Sequence, residues 1–426
     1  MKEMMKMVER VVALWRKLDV PADSRLTREG ALGAGGMGTV DLVHDSSLLR
    51  RVARKTLHAE HLDKEQMVLQ FVREVRITAA LDHPFIIPVY EMGFNNQGQV
   101  FFTMKRISGK NLKDFIRELP EGRMPRQTLF AVLEVIVKIC DALAFAHHRG
   151  VLHCDIKPDH VIMADYGQVY LIDWGIAHIM DHAVEPLTEL RESSAINDEK
   201  VMGTVAFMSP EQAAGRVADL GPASDIFSLG AVLYSILARR APYVAKTVAE
   251  SVELAQHCEY TPLSEAAPPN SVPPELDHIV RKAMDPDPAK RFRSAGDLGD
   301  ALRDFMGGGG DFPTIRFEEG ERIVTQGDAG KCAYIIKSGR CEAIHEKEGE
   351  EISLEIIDEG NVFGELAILT GQNRAANVVA LEGGVEVYEV KEEDFRAELN
   401  LLRPWIRQLV EKLAERATRR RLLGDY

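Results

Sequence analysis

The stretch LHCDIKPDHVIM, residues 152–163, places two residue types that phosphate chemistry needs close together. Asp155 is a carboxylate that can orient a hydroxyl group and accept its proton, and Lys157 is a cation that can steady a phosphoryl group during transfer. The hydrophobic run VYLI then leads into Asp173. A carboxylate at that point can hold Mg²⁺ across the β- and γ-phosphates of a nucleotide. The pattern indicates transfer of a phosphoryl group to a hydroxyl acceptor.

A glycine-rich stretch lies upstream, where Gly33, Gly35 and Gly38 precede Val40 in the pattern G-x-G-x-x-G-x-V. Glycine lets backbone N–H groups approach phosphates because no Cβ stands in the way. Lys55 falls on the third expected strand, where its charge can neutralise α- and β-phosphates. Glu74, on the helix that follows, can hold this lysine in place.

Each piece has an ordinary explanation when taken alone, such as a glycine hairpin, a surface lysine or a charge on a helix surface. Their joint occurrence, in this order and at workable spacing, has no such explanation. Further segments complete the series: MSPEQ with Glu211, SDIFSLG with Asp225, and DPDPAKRF with Arg291, which is expected to pair with Glu211. Residues 26–305 resemble a eukaryotic-type Ser/Thr protein kinase, particularly the bacterial branch of that family.

The resemblance implies a two-lobed fold that binds ATP in the cleft, with a hinge near Met104–Ile107 and Ser/Thr side chains of a protein as the substrate. It implies that Lys55, Glu74, Asp155 and Lys157 are the catalytic residues. It places Mg²⁺ or Mn²⁺ on Asp173 and His160. The residues expected to bind ATP are Leu32, Gly33, Ala34, Gly35, Gly36, Met37, Gly38, Val40, Ala53, Lys55, Met104 and Ile162.

Two positions depart from the family pattern. His160 occupies the place of an Asn that contacts metal and braces the catalytic Asp, and imidazole is a less natural ligand for hard Mg²⁺ than oxygen. Three outcomes stay open: His160 serves and favours Mn²⁺, one metal on Asp173 suffices at a reduced rate, or the chain binds nucleotide without turnover. The first two make the chain a kinase; the third makes it a scaffold that recruits partners.

Cys154 replaces an Arg that grips a phosphorylated activation segment in many relatives. Without the guanidinium, a phosphate on that segment loses a bidentate partner. We therefore do not expect Thr188, Ser193 or Ser194 to act as an on-switch. Cys154 is expected to be a small buried thiol, with a redox sensor as the alternative.

A second constellation follows four glycines at 307–310, in the stretch GNVFGELAILTGQNRAANVVA. Arg374 offers a planar fork for phosphate oxygens, and Glu365 offers an acceptor for a ribose hydroxyl. The short helix that Gly364 opens offers free N–H groups to an anion. Small Ala375 and Ala376 let the chain pass close to a ligand. A cyclic 3′,5′-monophosphate presents its phosphate and 2′-hydroxyl together in this way.

Residues 312–400 resemble cyclic-nucleotide-binding domains, as found in regulatory subunits of cAMP-dependent kinase and in bacterial catabolite-activator-type regulators. The resemblance implies a β-roll whose ligand residues are Gly364, Glu365, Leu366, Ala367, Arg374, Ala375 and Ala376. Ala375 directly after the Arg favours cAMP over cGMP as the effector, and a degenerate domain that binds nothing is the alternative. We do not expect a catabolite-activator-like transcription factor, since too few residues follow Asn400 in this sequence for a helix-turn-helix.

The whole chain must position both constellations. Its 426 residues indicate two or three domains, and a formal net charge of −14 argues against nucleic acid as a partner. Five cysteines without paired spacing and the lack of a long apolar segment or signal peptide favour the cytoplasm, with no membrane span.

We predict an α+β chain: an amphipathic helix at 1–22, a kinase domain at 23–306, a glycine-rich linker at 307–311, a cyclic-nucleotide-binding domain at 312–400 and a helix at 401–426. The amphipathic N-terminal segment is expected to dock on the neighbouring domain, with dimerisation or partner docking as the alternatives. A homodimer through the terminal helices is therefore one expected partner arrangement.

Overall fold

The structure is a computed structural model that describes residues 25–120, 122, 124–190, 203–269, 271–308, 312–347 and 349–423. The helix expected at 1–22 lies outside these residues, as do Ser193 and Ser194. Backbone contacts divide the chain into two compact units, one ending at Asp304 and the other beginning at Phe305. The units are described separately below.

The first unit opens with a five-stranded antiparallel sheet in the order β1-β2-β3-β5-β4. One long helix, α1, packs against it through a buried cluster that joins Phe71 and Val75 to Leu57 and Phe102. The elements are β1 (Leu26–Ala34), β2 (Gly38–Asp45), β3 (Arg50–Leu57), α1 (Glu65–Ala80), β4 (Val89–Phe94) and β5 (Val100–Lys105). A 3₁₀ turn at Ala59–His61 connects β3 to α1.

The remainder of this unit is mainly helical and carries two small sheets, β6-β8-β9 and β7-β10. Its centre is α5, in which every residue from Ser224 to Ala238 is buried. The elements are β6 (Gly109–Asn111), α2 (Leu112–Glu118), α3 (Arg126–His148), β7 (Val151–Leu152), β8 (Val161–Ala164), β9 (Val169–Leu171), β10 (His178–Ile179), α4 (Pro210–Ala213), α5 (Pro222–Ala238), α6 (Val248–His257), α7 (Leu263–Ala266), α8 (Pro274–Ala283) and α9 (Ala295–Gly308).

The second unit is a six-stranded antiparallel β-roll, in which β12 and β15 flank the path β11-β16-β13-β14. Its core joins Tyr334, Ile336, Cys341 and Val387 from the two longest strands. The elements are β11 (Thr314–Phe317), β12 (Arg322–Val324), β13 (Cys332–Lys347), β14 (Glu350–Ile357), β15 (Val362–Phe363), α10 (Glu365–Thr370), β16 (Asn377–Lys391), α11 (Glu392–Leu401) and α12 (Pro404–Leu423).

The structure departs from the predicted glycine-rich linker at 307–311 in the first two residues of that segment. Helix α9 continues through Gly307 and Gly308, so two of the four glycines belong to regular structure. Glycine lowers helix stability by only about 1 kcal/mol relative to alanine, and a helix already held by packing tolerates that cost at its end. Residues 309–311 lie outside the described part of the chain. Among the described helices, none is long and apolar enough to span a membrane.

Candidate functional site

The first site begins with an ion pair between the sheet and helix α1. Lys55 Nζ on β3 lies 2.6 and 2.9 Å from the two carboxylate oxygens of Glu74. Strand register sets Val40 opposite Lys55, and Ala53 opposite Met104. Burial raises the pKa of Glu74, and the charge of Lys55 opposes that rise. The predicted pairing of Lys55 with Glu74 is confirmed.

The glycine-rich stretch forms the turn between β1 and β2. Gly35 N donates to Gly38 O at 2.9 Å and closes the turn. A Cβ on Gly38 would lie 2.2 Å from Thr56 O, so only glycine fits there. Gly33 lies opposite Val40 in the strand register. Leu32 and Ala34 lie on β1, with Leu32 half exposed, and Gly36 and Met37 lie in the turn.

Asp155 and Lys157 form a small network with Thr204. Lys157 Nζ donates to Asp155 Oδ2 at 2.8 Å and to Thr204 Oγ1 at 2.7 Å. Thr204 N in turn donates to Asp155 Oδ1 at 2.9 Å. Burial would raise the pKa of Asp155, but the hydrogen bond from Lys157 and nearby positive charge outweigh it and hold that pKa below its usual value. The carboxylate is therefore ionised and available as a proton acceptor.

His160 lies between the two carboxylates of the site. Its Nδ1 lies 2.9 Å from the backbone O of Asp155, and its Nε2 lies 3.3 Å from Asp173 Oδ2. A carbonyl oxygen only accepts, so Nδ1 carries the proton of this contact. Burial lowers the pKa of His160 and favours the neutral ring. In that ring Nε2 presents a lone pair beside Asp173, as a metal ligand must.

One imidazole side chain is thus placed for both tasks expected of the missing Asn. Nδ1–H donates to the backbone O of Asp155, and Nε2 lies next to a carboxylate oxygen of Asp173, where it would be a nitrogen donor to a bound cation. Burial would raise the pKa of Asp173, but nearby positive charge, including that of Lys55, and a hydrogen bond from the backbone of Gly175 hold it below its usual value. A neutral nitrogen and an ionised carboxylate form a donor pair that fits a divalent cation, with more affinity for borderline metals than an all-oxygen pair has.

The loop that carries Asp155 is anchored to Asp225 on helix α5. Asp225 accepts from the backbone N–H of His153 at 2.8 Å and of Cys154 at 2.9 Å, and it contacts His147 Nε2 at 2.8 Å. Cys154 has a φ of 62°, which is uncommon for a residue with a side chain. Asp225 holds this strained backbone in place. Burial raises the pKa of the Cys154 thiol, which agrees with the expected inert buried thiol.

A second anchor lies deeper in the same unit. Arg291 donates to both carboxylate oxygens of Glu211, at 2.7 and 3.0 Å, and both side chains are fully buried. The predicted partnership of Glu211 with Arg291 is confirmed. Burial would raise the pKa of Glu211, but the hydrogen bonds and charge of Arg291 hold it below its usual value.

The second unit contains a cavity of about 660 Å³ next to helix α10. All seven residues predicted to bind cyclic nucleotide line it: Gly364, Glu365, Leu366, Ala367, Arg374, Ala375 and Ala376. The residues predicted from the sequence therefore lie around one cavity, and the ligand that the cavity binds stays a prediction.

Arg374 is nearly buried at the wall of this cavity. Its guanidinium donates to Gly364 O at 2.6 Å and to Cys332 O at 2.5 Å. Gly364 has a φ of 80°, and a Cβ there would lie 2.4 Å from Arg374 Nη1. Only glycine combines this backbone conformation with this close approach. The two carbonyls fix the plane of the guanidinium, which has five N–H donors in all.

Several residues near the two candidate sites were not predicted from the sequence. In the second unit, His345, Glu355 and Thr418 also line the cavity, and Thr418 comes from the C-terminal helix α12. In the first unit, Gln212 donates to the backbone O of Cys154. Ile162, by contrast, was among the residues predicted to bind ATP; it lies on β8 of the three-stranded sheet β6-β8-β9, and its role at an ATP site stays a prediction. No local motif marks the four unpredicted residues His345, Glu355, Thr418 and Gln212, because their partners are distant in sequence.

Comparison with known proteins assigns both units. Residues 26–298 match the family model described as "Protein kinase domain", and residues 314–400 match the one described as "Cyclic nucleotide-binding domain". The chain is similar to serine/threonine-protein kinase PknD of Protochlamydia amoebophila, with 33% identity over 294 residues, covering 65% of this chain and 29% of that protein. It is also 33% identical over 302 residues to serine/threonine-protein kinase PknD of Chlamydia muridarum, covering 66% of this chain and 32% of that protein.

The fold and the site therefore define a two-domain chain of the α+β class, with a kinase fold followed by a β-roll. The chain belongs to the protein kinase family, and a cyclic nucleotide-binding domain follows its kinase domain. Both resemblances inferred from the sequence are confirmed. The chain spans about a third of the length of the two relatives named above.

Proposed function

We propose that this chain transfers the γ-phosphoryl group of ATP to Ser or Thr side chains of proteins, and that cyclic nucleotide bound to the second unit regulates this transfer in cis. The observation that carries the proposal is the pair of intact networks: Lys55 with Glu74, and Asp155 with Lys157 and Thr204. A chain that acts only as a scaffold has no need for either network.

The residues divide the chemistry as follows. The acceptor hydroxyl attacks the γ-phosphorus, the bond to the ADP oxygen breaks, and the ionised Asp155 orients the hydroxyl and takes its proton. Lys157, next to Asp155, steadies the phosphoryl group, and Thr204 fixes the ammonium that does so. Lys55, held by Glu74, neutralises the α- and β-phosphates. The N–H groups of the glycine-rich turn approach the phosphates.

Asp173 and His160 are the residues that would hold a divalent cation. When bound, such a cation neutralises charge on the β- and γ-phosphates. We infer that the nitrogen ligand shifts preference from Mg²⁺ towards Mn²⁺. Equal single-turnover rates with the two metals would contradict this inference.

The test is transfer from labelled ATP to a generic basic protein and to the chain itself, with Mg²⁺ or Mn²⁺, and with or without cAMP or cGMP. Asp155→Asn is the matched control, because it keeps the size of the side chain and removes its capacity to accept a proton. Transfer that this variant abolishes supports the proposal. Binding of ATP without transfer under every condition contradicts it.

A second function is favoured by one observation, the imidazole in the place of an amide metal ligand. In that case the chain is a scaffold that binds ATP and cyclic nucleotide and recruits a partner without phosphotransfer. Comparing thermal shifts induced by ATP with and without divalent metal separates the two functions. A shift that does not depend on metal favours the scaffold.

For the effector, we propose a cyclic 3′,5′-monophosphate in the 660 Å³ cavity, with cAMP preferred to cGMP. Support comes from the buried guanidinium of Arg374 beside the small residues Ala375 and Ala376. The proposal predicts that Arg374→Ala removes the response to cyclic nucleotide and leaves basal transfer unchanged. Retained sensitivity in that variant would contradict regulation through this cavity.

A further inference from the structure

The 3₁₀ turn between β3 and α1 contacts the tip of the glycine-rich turn. His58 Nε2 lies 3.0 Å from Gly35 O, and His61 Nε2 lies 2.9 Å from Gly36 O. The backbone N–H of His58 donates to Met37 O at 3.0 Å. The carbonyls of Gly35, Gly36 and Met37 thus all have hydrogen-bond partners in the short segment 58–61 of the same chain.

The direction of the hydrogen bond at His61 follows from its second ring nitrogen. Lys64 Nζ lies 3.4 Å from His61 Nδ1. An ammonium group only donates, so Nδ1 must present its lone pair, and the proton of the neutral ring sits on Nε2. Nε2–H therefore donates to the carbonyl of Gly36. At His58, the carbonyl of Gly35 can only accept, so its Nε2 is also a donor.

A trans peptide unit is planar, and its C=O and N–H bonds point in opposite directions. Fixing the carbonyls of Gly35 and Gly36 therefore fixes the N–H groups of Gly36 and Met37, which point away from the histidines. Without such anchors, glycine peptides turn freely between conformations, because glycine has the widest range of allowed dihedral angles. The histidines remove this freedom where the backbone must meet phosphate.

We propose that His58 and His61 are positioning residues that orient the backbone N–H groups of the glycine-rich turn towards the phosphates of a bound nucleotide. This inference rests on the proposed binding of ATP in the first unit. The two histidines do not touch the nucleotide themselves. They act through the peptide planes of the turn, so their loss weakens binding of phosphates and leaves binding of the nucleoside unchanged.

The test compares two ligands on the full chain by calorimetry: ADP with Mg²⁺, and adenosine, which lacks phosphates. In His58→Ala/His61→Ala we expect the dissociation constant for ADP to rise about tenfold, the size of one charge-assisted hydrogen bond. The constant for adenosine should change less than about twofold. Equal weakening of both ligands, or no change for ADP, would overturn the proposal.

Conservative variants separate positioning from folding. In His58→Gln/His61→Gln the amide nitrogen reaches about as far as Nε2 and still donates, so ADP binding should recover to within about threefold of the wild-type value. Asn is one methylene shorter, so the corresponding Asn pair should behave like the Ala pair. Failure of Gln to recover ADP binding, in a variant that melts at the wild-type temperature, would overturn the proposal.

His44→Ala is the matched control, since His44 lies on β2 of the same sheet and outside the glycine-rich turn. It should leave both dissociation constants unchanged. A wild-type chain that binds neither ADP nor adenosine would overturn the proposed ATP site and this inference with it. If the wild-type chain binds both ligands but the His58→Ala/His61→Ala variant has the wild-type ratio of the two dissociation constants, only the role of the histidines is overturned.

Discussion

His160 decides how the metal site proposed for the first unit differs from an all-oxygen site. Replacing it by Asn restores an oxygen ligand while keeping an N–H donor for the backbone of Asp155. We expect His160→Asn to raise transfer with Mg²⁺ about tenfold and to reduce any preference for Mn²⁺. The rates of phosphoryl transfer with Mg²⁺ and with Mn²⁺, measured for both chains, test these two changes. Electron paramagnetic resonance of bound Mn²⁺ should show nitrogen coupling that the variant loses.

His160→Ala is the control for that experiment. It removes the brace on Asp155 together with the ligand, so transfer should fall with both metals. If Mn²⁺ bound to the wild-type chain shows no nitrogen coupling, the imidazole is not a metal ligand.

Glu211 gives a prediction for the pH dependence of stability. Replacing Glu211 by Gln leaves the guanidinium of Arg291 buried without its counter-charge, which lowers the free energy of unfolding by about 3 kcal/mol at neutral pH. The pKa of Glu211 is below its usual value in the folded chain. Its contribution is therefore complete above the usual pKa of Glu and is lost as pH falls through the lowered pKa.

Urea unfolding between pH 7 and pH 3 measures this difference, which should shrink only in the acid part of the range. The exposed pair Arg216–Asp219 supplies the control, because Asp219→Asn should change stability by less than about 0.5 kcal/mol. If the difference in free energy of unfolding between Glu211→Gln and wild type stays constant down to pH 3, the stabilisation does not come from the ionised carboxylate of Glu211.

The sequence predicts which candidate site residues lie together where those residues are close in sequence. Asp155 and Lys157 are two positions apart, and Gly364 to Arg374 form one continuous segment. Contacts between distant positions are predicted only where a family motif marks both partners, as it does for Glu211 and Arg291, which lie 80 residues apart. Asp225 reaches Cys154 across 71 residues, and His58 reaches Gly35 across 23, and neither pairing has a signal in one sequence. Such pairs form only when the whole sheet or helix layer is assembled.

At the scale of elements, the composition of a segment can suggest the wrong structure. Four glycines predict a flexible joint, yet helix α9 includes the first two of them. Conversely, the sequence predicts a helix at 401–426, but it does not predict that Thr418 of α12 lines the cavity. A hydrophobic period indicates that a helix packs through one face, but it does not indicate which element the helix packs against.

Helix α12 packs against α10, and Ala414 is its most buried described residue. We expect Ala414→Asp to place a charge in this contact and to displace the helix from the cavity. Affinity for cyclic nucleotide should fall about tenfold, measured by calorimetry, while ADP binding to the first unit is unchanged. Arg416→Asp places the same side chain at an exposed position of α12 and should have little effect. Equal affinity in Ala414→Asp and wild type would show that α12 does not contribute to the site.

At the scale of the whole molecule, α12 also carries an exposed apolar stripe. Trp405, Leu409 and Leu413 are each at least half exposed, at 62%, 50% and 52%, and their spacing of four places them on one face of the helix. We propose that this stripe supports the homodimer expected from the sequence. Trp405→Glu/Leu409→Glu should convert a dimer to a monomer in sedimentation velocity. A wild-type chain that sediments as a monomer at high micromolar concentration would contradict the proposal.

Joining the two units in one chain makes a thermodynamic prediction that does not depend on which state is active. If cyclic nucleotide changes the affinity for ATP by some factor, ATP must change the affinity for cyclic nucleotide by the same factor. Typical coupling free energies predict about tenfold in each direction. Calorimetry with a non-hydrolysable ATP analogue, titrated with and without cAMP, measures one direction, and the converse titration measures the other. Arg374→Ala should remove the effect of cAMP on the analogue. If each ligand binds with an affinity independent of the other, the units do not communicate through binding, and cis regulation would have to act on the rate of transfer alone.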